Sequence, residues 1–195
     1  MADTQEIILE INTQTSIDNI AKLRKEQDAL KESNANLQEQ LEKNVITYDE
    51  YNKAIEKNNS ENIKNAILVN TLGTILTTNS VVYQMKKQKC GRIINIISQA
   101  GLYGKAERSV YNASKWAITG FTKSIQLELA PFGISVVGFY PGFIHTNLFG
   151  KARTHKTDFS TAMPVEKPAK ALAYLIEVDS DIVIKEFGIQ SIKQF

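Results

Sequence analysis

Cysteine, histidine and long apolar runs are scarce in this 195-residue chain, and each scarcity argues against a class of protein. The single cysteine, Cys90, excludes an internal disulfide and favours a reducing compartment. The 23 basic and 21 acidic residues nearly balance, which is unlike the basic field of nucleic-acid-binding proteins. No apolar run approaches the ~20 residues of a membrane span, and the start lacks a signal-peptide pattern. We therefore expect a cytoplasmic protein without nucleic-acid or membrane partners.

Glycine is missing from the whole first third of the chain, since the first one is Gly73. A glycine-rich turn between a strand and a helix allows backbone N–H groups to approach a dinucleotide's phosphates, which any side chain would obstruct. No such turn can exist upstream of Gly73. The two histidines, His145 and His155, have no carboxylate partners at ligand spacing, so we expect no metal site.

The first sixty residues have helical patterns in place of such a turn. We expect a short strand over residues 5–11 and then a long helix from Ser16, capped by Ser16 itself or by Thr15 with Asp18. Apolar and amide residues occupy heptad core positions along this helix: Ile20, Gln27, Asn34 and Leu41 at one, and Leu23, Leu30 and Leu37 at the other.

Thr47 and Glu50 predict a capping box that starts a second helix, which we expect to end in the polar stretch at residues 57–62. Two alternatives remain for residues 1–61. They form a helical hairpin that packs on itself or on the domain behind it, or they form a coiled-coil oligomer.

Residues 91–115, GRIINIISQAGLYGKAERSVYNASK, carry the chemistry. The β-branched run from Ile93 to Ile97 predicts a strand buried on both faces, as in a parallel sheet. A loop follows Ser98, and then a helix places Tyr111 and Lys115 on one face, four residues apart. A free tyrosine phenol has a pKa of about 10, which a neighbouring ammonium lowers. The trio is therefore typical of a proton-transfer site.

The Tyr-x-x-x-Lys spacing is weak evidence alone, because Tyr83 and Lys87 repeat it. Only Tyr111 has a serine at a strand end thirteen positions upstream and a Pro141-Gly142 turn after the next strand. We expect Tyr83 and Lys87 to be a surface pair on a helix.

With these residues in hand, the chain resembles the short-chain dehydrogenase/reductase family. The matching residues are Asn70 in LVNTLG, Ser98 in NIISQAG, Tyr111 and Lys115 in YNASK, and the segment PGFIHT from Pro141 to Thr146. The motif resemblance covers about residues 62–176, the catalytic half, and the family's nucleotide-binding half is not recognisable before it.

The resemblance implies a role for each matching residue. Ser98 would position the substrate, Tyr111 would be the general acid/base, and Lys115 would tune Tyr111 and hold the nicotinamide ribose. Asn70 would anchor a proton-relay water. The implied cofactor is NAD or NADP, in contact with Tyr111, Lys115, Pro141, Gly142, Ile144 and Thr146.

The predicted fold is α/β: a partial Rossmann-like, doubly wound parallel sheet over residues 62–195, preceded by the helical hairpin. Residues 134–139 predict a second strand, residues 164–177 a helix and residues 181–187 a last short strand. We also expect the N-terminal segment to cover the exposed edge of the sheet.

The helix after Tyr111 has apolar residues around roughly 220° of its circumference, twice the ~100° stripe of a one-sided helix. It is therefore expected to be buried on two sides, against the sheet and against a second surface. The family resemblance implies a homo-oligomer through helices 70–89 and 111–130, and the hairpin is the alternative cover.

Two functions follow from these patterns. The first is an NAD(P)-dependent oxidoreductase that transfers hydride between the cofactor and a carbonyl/alcohol substrate, inactive if the missing glycine loop is essential. The alternative is a non-catalytic interaction or assembly module, built from a dehydrogenase fragment and a helical hairpin.

Overall fold

The computed structural model describes residues 13–146, 158–179 and 181–195. The expected strand over residues 5–11 and His155 lie outside these ranges. The chain forms two compact units, Met1–Val81 and Val82–Phe195, and each is described by itself.

The described part of the first unit is helical. Its elements are α1 (Thr13–Glu42), α2 (Tyr48–Ile67), a π-helical turn (Leu68–Leu72) and α3 (Gly73–Gln88), which continues past the unit boundary. The predicted capping box starts α2: Thr47 Oγ1 accepts from the Glu50 N–H at 3.3 Å, and the Glu50 carboxylate accepts from the Thr47 N–H at 2.9 Å. This local prediction is confirmed.

Helices α1 and α2 pack together as a hairpin. The predicted core positions that the structure describes are half-buried, namely Leu30, Asn34, Leu37 and Leu41. Asn58 of α2 reaches across and donates to Asn34 Oδ1 at 2.6 Å and to Ser33 Oγ at 3.2 Å. The side chains of Ile20, Leu23 and Gln27 lie outside the described part, and a coiled-coil oligomer stays a prediction.

Two helix boundaries differ from the sequence predictions. Helix α1 begins at Thr13, so the expected caps at Thr15 and Ser16 lie inside it. Helix α2 does not end in the polar stretch at 57–62 but continues into the π turn and α3. The buried Asn58 gives the physical reason, since its contacts with α1 stabilise a helix that the local sequence disfavours. Residue 61, the expected domain boundary, therefore lies within a helix.

The continuous helix Tyr48–Gln88 is, by length and composition, the one candidate for a membrane span in the described residues. One such helix is weak evidence, although little of its apolar window is buried. The predicted absence of a membrane partner and the cytoplasmic location stay predictions.

The second unit is a three-stranded parallel sheet in the order β1-β2-β3. Its elements are β1 (Gly91–Ile96), α4 (Ser109–Leu129), β2 (Ile134–Pro141), α5 (Glu166–Glu177) and β3 (Glu186–Ile189). Strand β2 is central, and all eight of its residues are buried. The α5 and β3 predictions were close but not exact, since α5 begins two residues later than expected and β3 is shifted towards the C-terminus.

Apolar clusters lie on both faces of β2, because successive strand residues point to opposite sides. Tyr140 packs with Ile97 and with Ile118 of α4. Phe139 packs on the other face with Val137 and with Leu175 of α5, and its ring stacks on Phe187 with centroids 6.2 Å apart. Helices on both faces of a parallel sheet confirm the predicted α/β, doubly wound class.

Two surfaces of the second unit are less covered than expected. Trp116 and Leu127 of α4 are 53% and 76% exposed, so in the single chain the second side of α4 is not buried at these positions. The outer edge of β1 has no strand partner among the described residues, and Ile96 is 59% exposed. Residues 13–88 add no strand to the sheet, so an edge covered by the N-terminal segment stays a prediction.

Candidate active site

The carboxyl ends of β1 and β2 meet at one edge of the sheet, where Ile96 is paired with Phe139. Ser98 lies two residues after β1, and Pro141 ends β2. The Gln99 side chain donates from Nε2 to the Tyr140 carbonyl at 2.9 Å and so joins the two strand ends. Parallel α/β sheets bind ligands at this edge, which makes it the candidate site.

Ser98 has an unusual backbone conformation, with φ of 149° and ψ of 159°. This region is favoured by glycine and costs another residue about 1–3 kcal/mol, so the surrounding fold must hold it. The Ser98 hydroxyl oxygen accepts from the Ala100 N–H at 3.2 Å. Because the oxygen is the acceptor in that bond, the hydroxyl hydrogen can still be donated to a ligand.

Hydrogen bonds from two residues of α4 hold the loop after Ser98, and the sequence analysis did not identify either residue. Thr119 Oγ1 donates to the Gly101 carbonyl at 3.1 Å, and Asn112 Nδ2 donates to the Tyr103 carbonyl at 2.7 Å. A Cβ on Gly101 would lie 2.7 Å from both Thr119 Oγ1 and an Ile97 methyl, so only glycine permits this close packing. The one available signal was the position of Asn112 beside Tyr111, within YNASK.

Tyr111 and Lys115 lie one turn apart on α4, with Lys115 Nζ 5.7 Å from the centroid of the Tyr111 ring. Tyr111 is 36% exposed, and the half-buried Lys115 has a pKa below its usual value because burial disfavours the ammonium. Among the described residues no carboxylate lies within ion-pair distance of Lys115. A partly buried lysine without an anionic partner is typical of a functional site.

The second Tyr-x-x-x-Lys pair behaves as predicted. Lys87 Nζ lies 4.3 Å from the centroid of the Tyr83 ring, and Tyr83 is 68% exposed. It is a surface pair. Tyr140 is fully buried, so its phenol is not accessible from solvent, and burial raises the pKa of that phenol.

The segment 141–146 runs from the end of β2 along residues 158–163. Ile144 forms a parallel bridge with Met163, and the His145 N–H donates to the Met163 carbonyl at 2.8 Å. The exposed His145 ring stacks on Phe159, with centroids 4.1 Å apart. Within the described residues, no three His, Cys, Asp or Glu side chains lie together as metal ligands would.

Asn70 is the one predicted site residue that belongs to the first unit. It belongs to the π-helical turn of the first unit, where its carbonyl accepts from Thr74 Oγ1 at 2.8 Å. Single π turns inside α-helices are frequent at functional sites. Ser98, Tyr111 and Lys115 belong to the second unit, and the role of Asn70 beside them stays a prediction.

The fold defines a class: an α/β protein with a doubly wound parallel sheet, in which Ser98 follows β1 and Tyr111 and Lys115 lie one turn apart on α4. Comparison with known proteins agrees. The chain belongs to the short chain dehydrogenase family, whose model matches residues 19–157. This match begins well before residue 62, where the motif resemblance starts.

Curated relatives are similar over part of their length. The 3-oxoacyl-[acyl-carrier-protein] reductase of Synechocystis is 45% identical over 80 residues, covering 41% of this chain and 32% of the relative. Carbonyl reductase family member 4 of Xenopus tropicalis is 31% identical over 140 residues, covering 67% and 58%. The chain thus spans about a third to three fifths of these relatives.

Solved structures show the same partial coverage. Acetoin dehydrogenase from Enterobacter cloacae matches with a TM-score of 0.57 and 28% identity, covering 66% of this chain and 53% of that one. ElxO with NADP bound matches with a TM-score of 0.57 and 27% identity, covering 66% and 56%. An alcohol dehydrogenase from Thermococcus sibiricus, at 22% identity, TM-score 0.61 and coverage of 69% and 56%, supports the fold alone.

Proposed function

We propose that this chain acts as an oxidoreductase that transfers hydride between NAD or NADP and a small carbonyl/alcohol substrate. Three observations carry the proposal: Ser98 after β1 is strained, Tyr111 on α4 is partly exposed, and the neighbouring Lys115 has no carboxylate within ion-pair distance among the described residues. Backbone strain and a partly buried charge both cost stability, and such costs are found at functional sites.

Each residue has a defined task in the proposed reaction. Ser98 donates its hydroxyl hydrogen to the substrate oxygen and so orients it. Tyr111 gives a proton to that oxygen in reduction and removes it in oxidation. Lys115 favours the phenolate through its charge and offers N–H donors to ribose hydroxyls. Asn70 is assigned the proton-relay water.

The proposal assigns one end of the cofactor to residues of the second unit. Lys115, Pro141, Gly142, Ile144 and Thr146 would hold the nicotinamide end, where the cofactor supplies the hydride. The phosphate end does not fit, because residues 13–88 contain no strand followed by a glycine turn. Weak cofactor binding is therefore expected from this chain by itself, and turnover needs the missing phosphate contacts from another source.

Cofactor titration is the first test. Trp116 is the only tryptophan and lies on α4, so energy transfer from it to bound NADH or NADPH reports binding. Saturation below millimolar cofactor supports the proposal, and a flat response up to millimolar cofactor contradicts it.

Tyr111→Phe tests the chemistry once binding is seen. It removes only the phenolic oxygen, so carbonyl reduction should fall by about 10²–10⁴-fold, with cofactor binding retained. Tyr83→Phe is the matched control, since it deletes the same atom from the surface Tyr-x-x-x-Lys pair and should leave the rate unchanged.

The alternative function, a non-catalytic assembly module, is favoured by one feature of the first unit. Ile63, Ile67, Leu72 and Leu76 are 38–55% exposed along α2, the π turn and α3. Their spacings of 4, 5 and 4 keep them on one side, because the π turn absorbs one extra residue. Two results together would favour this alternative: the wild-type chain does not bind cofactor, and it self-associates in a way that Leu76→Glu abolishes.

A homo-oligomer through helices 70–89 and 111–130 remains part of the proposal. Its support is the exposure of Trp116 and Leu127, large apolar side chains on one helix. Sedimentation of wild type against Leu127→Glu tests it: the variant should shift towards monomer, and an identical profile would contradict the interface.

A further inference from the structure

The Gln194 side chain, near the C-terminus, forms hydrogen bonds to the segment 141–146, which the proposed function assigns to cofactor binding. Gln194 lies in the short 3-10 turn Ile192–Gln194. Its Oε1 accepts from the Phe143 N–H at 3.0 Å, and its Nε2 donates to the Phe143 carbonyl at 3.0 Å and to the Thr161 carbonyl at 2.9 Å. The side-chain amide pairs with both backbone groups of Phe143, as a residue in an adjacent strand would.

The orientation of the Gln194 amide is fixed by its partners. Two carbonyls require the NH₂ group, and one N–H requires the oxygen, so a flipped amide would lose all three bonds. The turn itself is built locally, because the Gln194 N–H donates to the Ser191 carbonyl at 2.9 Å and the Ser191 hydroxyl oxygen accepts from the Lys193 N–H at 3.3 Å.

Packing reinforces these bonds at Gly142. The Gly142 N–H donates to the Ile189 carbonyl at 2.7 Å. A Cβ at Gly142 would lie 2.7 Å from Gln190 Cβ and would also collide with Gln194 Oε1. The absence of a side chain at Gly142 is what allows the C-terminal turn to approach the segment after β2.

We infer that Gln194 is a positioning residue that fixes residues 141–146 in the conformation required for nicotinamide binding, an inference that rests on the proposed function for its cofactor role. The Phe143 carbonyl also accepts from the Met163 N–H at 2.9 Å, so Gln194 completes a three-way junction between the β2 end, residues 158–163 and the C-terminal turn. The side chain of Gln194 bonds to the backbone of Phe143 and Thr161, so it acts on the site through the Phe143 backbone.

Gln194→Met is the direct test, since methionine keeps the side-chain length and loses every hydrogen bond. Lys193→Met is the matched control on the same turn, with an exposed side chain. Amide hydrogen exchange of the full chain, without cofactor, should show protection of the Phe143 N–H reduced on the order of tenfold in Gln194→Met and unchanged in Lys193→Met. Unchanged protection in Gln194→Met would overturn the inference.

NADPH titration of the same proteins separates this inference from the proposed function. If wild type binds, Gln194→Met should weaken the Kd on the order of tenfold, and Gln194→Glu should weaken it less at low pH, where the protonated acid regains one donor. An unchanged Kd with lost Phe143 protection overturns the cofactor role and leaves Gln194 structural. If wild type does not bind, the proposed function and the cofactor role both fail, while exchange still decides whether Gln194 holds the segment.

Discussion

The two units of this chain bury different kinds of side chain. In the described part of the first unit, the buried side chains are Asn58, Asn65 and Thr78, all polar. Every buried apolar side chain of the described residues lies in the second unit, where β2 is fully covered on both faces. The helical hairpin is held by hydrogen bonds and half-buried leucines, whereas the sheet is held by a hydrophobic core.

This difference explains where the candidate site lies. A strained Ser98 and a partly buried Lys115 each cost stability, and only a well-packed unit can hold them in place. The hairpin has long helices with exposed apolar side chains. Such side chains are better suited to contacts with other surfaces than to holding catalytic groups in a fixed position. The substitutions below test this comparison in order of expected effect.

The largest effect is expected for Leu175→Ala in the second unit. Leu175 is 1% exposed and contacts the β2 cluster, so its truncation leaves a cavity and should lower the free energy of unfolding by about 2–5 kcal/mol. Urea unfolding followed by Trp116 fluorescence measures it, because Trp116 belongs to the same unit.

Leu76→Ala is the matched change in the first unit. Leu76 is 55% exposed, so the same truncation should change the free energy of unfolding by no more than about 0.5 kcal/mol. Equal losses in the two variants would mean that the contrast between the units is wrong.

An intermediate effect is expected for Asn58→Ala. The variant removes two hydrogen bonds between α2 and α1 and leaves their partners in a partly buried position, which should cost the hairpin about 1–2 kcal/mol. Thermal melting followed by circular dichroism at 222 nm reports the helices. Asn59→Ala is the control, since Asn59 is the exposed neighbour and alanine has the higher helix propensity, so its midpoint should not fall. An equally lowered midpoint in Asn59→Ala would contradict the role given to the Asn58 contacts.

The smallest effect is a pH dependence at the start of α2. Hydrogen bonds from the Thr47 backbone N–H and hydroxyl lower the pKa of Glu50 below its usual 4.5. The folded state therefore favours the carboxylate, so the stabilisation is complete above pH 4.5 and is lost as the pH falls through the lowered pKa. Helical circular dichroism should decrease slightly over that window.

Glu50→Gln is the control for this titration, because glutamine keeps an acceptor for Thr47 without a titrating proton. Its helical signal should lack the Glu50 component of the acid transition. The same acid-induced loss in both proteins would assign the transition to other carboxylates.

Local patterns were the reliable part of the prediction. The capping box at Thr47 and Glu50 depends on residues three apart, and the β1 and β2 runs depend on continuous apolar sequence. The spacing of Tyr111 and Lys115 also placed them one turn apart on a helix that follows the loop after Ser98, and the catalytic role of the three residues stays a prediction.

Contacts between distant residues escaped prediction. The polar stretch at 57–62 indicated a helix end, yet Asn58 is buried against α1 through partners 24 and 25 residues away. Gln194 bonds to Phe143 across 51 residues, and Thr119 fastens Gly101 across 18. None of these residues differs in type from many surface residues, so no local signal marked them.

The sequence was sufficient to predict the parallel α/β class and to exclude a glycine turn before Gly73, since these depend on residue type and short spacing. The chemistry of Ser98, Tyr111 and Lys115 was predicted in the same way and stays a prediction. Only the tertiary structure shows that α2 and α3 form one helix, that the Ser98 backbone is strained and that Gln194 forms hydrogen bonds to Phe143 after β2. Those features arise from the free energy of contacts between distant parts of the chain, which sum only when the fold is complete.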